Sequence, residues 1–255
     1  MKKLLLLAGS LFAVSFLASG DEAVIKVPDR PEFTVRSVNA DSLGNLEYST
    51  AKSGDLKLIL PRGKYSYAWI PRPKALEEAA SLLKTNPVAA AEAFKLGYEK
   101  YKLLGWDVYC ISGEAEAMAK LGMKKEAIRK LAQLKDYKCQ NERLRPMIEA
   151  ANRLTLQLCI ETGEYALAEQ LVRMMRSSPD ESVAVFGYMR HGDMLRKQGK
   201  IKEASRIYLQ AYLLFPESPS GRENLRSLVA ALEELKDPRS ANFAEILKKD
   251  ESKKP

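Results

Sequence analysis

The chain has 255 residues, of which 46% are hydrophobic, and a formal net charge of +8 at pH 7. That length and apolar content suit one or two globular domains and argue against a disordered chain. The 41 Lys and Arg are interleaved with 33 Asp and Glu, the pattern of a solvated helix surface. Without a basic stripe or an RNA-binding aromatic motif, it argues against nucleic acid as a partner.

Met1-Lys2-Lys3 is a short positive start, Leu4 to Leu17 is almost wholly apolar, and Ala18-Ser19-Gly20 supplies small residues before Asp21-Glu22. This order predicts a secretory signal over 1–20 and a periplasmic or secreted mature protein of the bacterial cell envelope. A retained N-terminal anchor is the alternative, although the run is short of the ~20 residues of a bilayer span. Asp21 stands where a lipoprotein would need cysteine. No later stretch reads as a membrane span.

From 21 to 72 the pattern is β-like. Val24–Val27, Phe33–Val38, Leu46–Tyr48, Leu56–Leu60 and Tyr65–Ile70 are rich in β-branched, aromatic and apolar residues. Pro28-Asp29-Arg30-Pro31, Asp41-Ser42-Leu43-Gly44-Asn45, Ser53-Gly54-Asp55 and Pro61-Arg62-Gly63 separate them with turn chemistry. Five short strands predict a small SH3-like or Sm-like barrel, because closure removes exposed edges. An open meander packed on the first helices is the other arrangement.

Pro71-Arg72-Pro73 ends the last strand, and 73–249 reads as helix punctuated by Gly and Pro. Within it, Gly122…Ala127, Gly163…Ala168 and Gly199…Ala204 repeat one spacing, and apolar or small residues follow four and seven positions after each alanine. These are Leu131 and Leu134, Val172 and Met175, and Tyr208 and Ala211. A weaker copy centres on Ala90 with Phe94 and Gly97, and the marker alanines step by 37, 41 and 36 residues. The fourth copy adds Tyr188, Gly192 and Leu195 before Gly199, and Pro216 after the second helix.

This signature resembles the tetratricopeptide (TPR) motif, a helix–turn–helix of about 34 residues. The family's helix A aromatic is replaced by Ile111 and Asn152, and the small residue matching Gly192 by Leu156. The resemblance implies a mostly α, α+β chain: a TPR-like helical-hairpin solenoid after the small β module. Unrelated αα-hairpins are the alternative. A degenerate pair over 222–235 and 238–249 closes the array, and 250–255 forms a flexible tail.

Little in the sequence speaks for catalysis. His191 is the only histidine, and a lone histidine without a partner ligand makes no metal site. Glu77-Glu78 and Glu233-Glu234 are adjacent, so each pair points to different helix faces, and solvated surface explains them better than acid–base chemistry. Phosphate loops and serine-nucleophile elbows are absent. The expectation is a non-enzyme without catalytic residues, metal or cofactor.

Cys110 and Cys139 lie at comparable distances from the turn at Gly122-Met123, which predicts a disulfide in an exported chain. The alternative makes Cys110 a small buried hydrophobe and Cys139 a loop thiol. Cys159 falls in an apolar stripe and is expected to be buried. Trp69 and Trp106 read as packing residues.

The resemblance also implies that the helix A faces line a concave, partner-binding side. Those faces would present Tyr109, Ser112, Glu116 and Lys120, then Arg153 and Gln157, then Phe186, Met189, Asp193, Arg196 and Lys197. The family's Lys, Arg and Asn clamp for a terminal carboxylate is not reproduced. The functional expectation is a cell-envelope scaffold or adaptor that binds a protein or peptide. The alternative is a binder of peptidoglycan or another anionic glycan, through the β module near Lys64, Tyr65 and Tyr67.

Overall fold

A computed structural model of the chain describes residues 22–216, 218 and 221–252. The expected signal over 1–20 lies outside the described residues. Two compact units form: one takes the described residues up to Lys74 together with Tyr98–Asp107, the other Ala75–Gly97 and the chain from Val108 onward.

The first unit holds strands β1 (Ala23–Lys26), β2 (Phe33–Val35), β3 (Ser37–Ala40), β4 (Leu46–Ser49), β5 (Leu58–Leu60) and β6 (Tyr67–Trp69). They make two three-stranded sheets, ordered β2-β1-β6 and β3-β4-β5, with every pairing antiparallel. Turn chemistry sets the connections as the sequence indicates. Asp41 Oδ1 accepts the backbone N–H groups of Leu43 and Asn45 at 2.9 and 2.8 Å, and Gly44 takes φ +86°, a conformation L side chains avoid.

The expected five-stranded closed barrel is corrected here in two respects. The run Phe33–Val38 bends at Arg36, whose N–H reaches the Ser49 carbonyl at 2.8 Å, so one predicted strand serves both sheets. In addition, β5 and β6 do not pair, which leaves the seam that would close a barrel unmade. Ile25, Val35, Val38, Leu46 and Ala68 bury the module's core, and Leu104 of the Tyr98–Asp107 segment completes it. The Ile70 N–H donates to the Leu104 carbonyl at 3.3 Å and Trp106 Nε1 to the Ile70 carbonyl at 3.0 Å. The Trp69 and Trp106 rings stack at 4.8 Å. Gly105 permits this approach: it has φ +85°, and a Cβ there would lie 2.5 Å from the Trp69 ring.

The second unit contains the repeats as helix pairs. They are α1 (Lys74–Thr85) with α2 (Pro87–Tyr101), α3 (Asp107–Lys120) with α4 (Lys124–Leu131), and α5 (Arg145–Thr162) with α6 (Tyr165–Arg176). Next come α7 (Glu181–Lys197) with α8 (Ile201–Leu214), and α9 (Gly221–Glu234) with α10 (Arg239–Ser252). Gly122, Gly163 and Gly199 adopt φ of +83°, +81° and +74° within two residues of the ends of α3, α5 and α7, so each closes the first helix of its pair in the left-handed conformation. The marker alanines Ala90, Ala127, Ala168 and Ala204 are fully buried. Asp180 caps α7 by accepting the Val183 N–H. The helix α10 runs on past residue 249, where the polar tail was expected to begin.

The expected Cys110–Cys139 disulfide is not formed; all three cysteines are thiols. Regular helix ends at Leu131, and only a short 3-10 turn, Ala132–Leu134, follows before the chain reaches Cys139. The antiparallel register assumed from the turn therefore does not extend that far. Cys110 is buried inside α3, its Sγ 3.4 Å from where a Cβ on Gly97 would stand. Cys139 is exposed, with its thiol donating to the Asn141 carbonyl. Cys159 is buried, and burial followed by the nearby Glu164 pushes its thiol up to about 11.

Candidate binding groove

A groove of about 510 Å³ opens in the repeat unit between α5, α7, α8 and α9. Gln157, Ile160 and Glu161 come from α5, Arg190, Asp193, Arg196 and Lys197 from α7, Ile201 from α8 and Glu234 from α9. Helical spacing explains the α7 contribution, because positions 190, 193 and 197 fall on one face.

Its charges are largely paired in place. Arg190 Nη1 donates to Asp193 Oδ2 at 2.8 Å, and the Tyr208 hydroxyl donates to Asp193 Oδ1 at 2.7 Å. Burial, then the adjacent Asp193 carboxylate, raises the Tyr208 phenol far above its ordinary value, so it acts as a donor. Arg196 bonds Glu234 at 3.0 Å. Lys124 reaches Glu161 at 2.7 Å, while Gln157 donates to the same carboxylate at 2.9 Å. These two contacts hold the Glu161 carboxyl below its usual range. Lys197 is exposed on the rim, its charge acting on Glu161 more weakly than the Lys124 and Gln157 contacts do.

The structure thus brings four predicted residues, Gln157, Asp193, Arg196 and Lys197, into one site. Arg153 and Phe186 are one turn away along the same helices. The Phe186 ring lies under two guanidinium groups, Arg153 of α5 at 4.6 Å and Arg190 of its own helix at 5.1 Å, and the first of these links α5 to α7. Met189 is only 5% exposed and is corrected from groove lining to core. Spacing identifies the face of a helix, but not how deeply neighbouring helices cover it.

The second-copy residues do not line the groove. Tyr109 packs edge-on to Phe94 at 5.8 Å, Ser112 donates back to the Val108 carbonyl at 2.7 Å, and Glu116 pairs with Lys120 at 3.6 Å. Ile160, Glu161, Arg190, Ile201 and Glu234 were not foreseen. For the first three, the signal was helical spacing from Gln157 and Asp193. For Ile201 and Glu234, which come from α8 and α9, single-repeat reasoning offers none.

His191 is half-buried at the α6–α7 contact, where Arg176 Nη1 approaches its Nδ1 at 2.8 Å and Glu169 lies 3.9 Å from Nε2. Burial, then the Arg176 cation, lowers its pKa below the ordinary value. Among the described residues, no group of three His, Cys, Asp or Glu is placed to hold a metal ion. Nor is any helix among them long and apolar enough to cross a membrane. In the β unit, the Tyr65 hydroxyl is committed to the Gly44 carbonyl and that of Tyr67 to Glu32.

No family model matches the chain, and no curated protein matches it. Solved structures do. The described fold is similar to MamA from residue 41 to its end, from Desulfovibrio magneticus RS-1. That match has a TM-score of 0.52 and 15% identity, and covers 72% of this chain and 100% of that one. The MamA RS-1 ArsTM double mutant matches with a TM-score of 0.50, 15% identity and the same coverages. At such identity the likeness is one of fold, and the fold is a TPR-like array of helices.

Proposed function

We propose that this chain is an exported, non-catalytic scaffold of the cell envelope that holds a protein or peptide in the groove between α5, α7, α8 and α9. The observation that carries this reading is the groove itself. Two isoleucines give it apolar surface, its acids are tied into neighbouring helices, and Lys197 stays open on the rim. A concave surface that combines apolar side chains with fixed charges can orient a peptide while excluding water from part of it. Among the described residues, no constellation around it joins a nucleophile, a base and an orienting group, which is the arrangement chemistry would need. The leader-like Met1–Gly20 segment supports export.

The test is affinity capture from envelope extract, identification of the partner, and titration of that partner against wild type and Lys197→Glu. The variant is expected to bind at least tenfold more weakly with unchanged thermal stability, because Lys197 is exposed. Equal affinity of the two proteins would remove the groove from the proposal.

A further inference from the structure

We propose that the outer edge of β5 is a strand-addition site for an extended acidic peptide. This site is separate from the groove and independent of its assignment. The strand Leu58–Leu60 ends the sheet order β3-β4-β5, and among the described residues no strand pairs with its other side. The opposite end of the module is treated differently: beyond β6, the backbone of Ile70 is bonded to Leu104. The edge at β5 therefore keeps a row of main-chain donors and acceptors open, the template that added strands use.

Two further features give the edge a preference. The strand is apolar where an exposed edge is ordinarily charged: Ile59 at its centre is 70% exposed, and Leu56, two residues before the strand, 65%. The lysine that would guard it, Lys57, is instead drawn back across the sheet to Glu47 at 2.6 Å. Leu60 is packed against the module core, so alternate side chains of an added strand would extend that core. The surrounding charge selects an anionic partner. With Lys57 paired to Glu47 and Asp55 lying 3.9 Å from Arg36, the cations left around the edge are Lys52, Arg62 and Lys64. Main-chain pairing would supply the register, and this positive margin the selectivity.

The probe is a fluorescein-labelled heptapeptide alternating valine and glutamate, titrated into the full chain by fluorescence anisotropy. Saturable binding is expected. It should weaken at least tenfold when alternate amides of the peptide are N-methylated, and again when its glutamates are replaced by lysines. Ile59→Glu should cause a comparable loss while leaving the near-ultraviolet signal of the tryptophans intact. The N-methylated peptide tests wild-type protein and so needs no variant to fold. Absence of saturable binding, or equal binding of the N-methylated peptide, would overturn the proposal. So would a dimer in sedimentation that Ile59→Glu returns to monomer, since a second copy would then occupy the edge.

Discussion

Neutral His191 accepts from Arg176, so a second proton on the ring would meet a cation where it now meets a donor. Glu169 on α6 and Glu203 on α8 act in the opposite sense, more weakly than burial and Arg176. The folded-state pKa thus lies below the unfolded value, near 6.5. The unfolded chain binds more protons in that interval, so the contribution to stability is complete above about pH 6.5. It declines as pH falls toward the lowered folded value. Thermal melts between pH 7.5 and 5 should show wild type losing stability more steeply than His191→Gln, whose amide oxygen can still accept from Arg176. Parallel curves for the two proteins would show that the histidine is not the group responsible.

At the scale of elements, the close approach of paired helices rests on glycine. A Cβ on Gly192 would lie 2.3 Å from the Tyr208 ring, and Tyr208 is itself fully buried and bonded to Asp193. The ring cannot retreat without giving up that bond. Gly192→Ala should therefore destabilise the repeat unit by about 1–3 kcal/mol, measured by urea denaturation, despite alanine's better helix propensity. Combining it with Tyr208→Phe should cost less than the sum of the two, because both disturb one contact.

This pair was legible in the sequence, as were the helix ends at Gly122, Gly163 and Gly199, because hairpin geometry is written in residues close together along the chain. Sheet closure was not. Only residues 61–66 separate β5 from β6, yet β6 pairs with β1, far back in the chain, a long-range choice that the turn chemistry at Pro61-Arg62-Gly63 does not encode. The groove was half legible for the same reason. The TPR resemblance put Gln157, Asp193, Arg196 and Lys197 on helix A faces, while Ile201 and Glu234 enter from α8 and α9, on which no binding residue was expected. The disulfide expectation failed on an irregular segment, 132–144, that no periodicity describes.

For the whole molecule, the consequential feature is that chain order and compact units do not coincide. Tyr98–Asp107, which takes in the end of α2 and the first residue of α3, belongs with the strands, supplying Leu104 to their core and Trp106 to the stack on Trp69. A module of some fifty residues has little core to spare. Cutting the chain after Lys74, two residues beyond the boundary that composition suggests, would remove both side chains. A fragment of residues 22–74 should therefore lack a cooperative thermal transition and dispersed amide resonances. In the full chain, Leu104→Ala should destabilise the β unit by about 2–5 kcal/mol, the range for emptying a buried leucine site. Hydrogen exchange can locate the loss: protection should fall in β1, β3 and β4 and stay unchanged in α7 and α8. Equal loss in both sets would mean that the units unfold as one, and a folded fragment would mean that the inserted segment is dispensable.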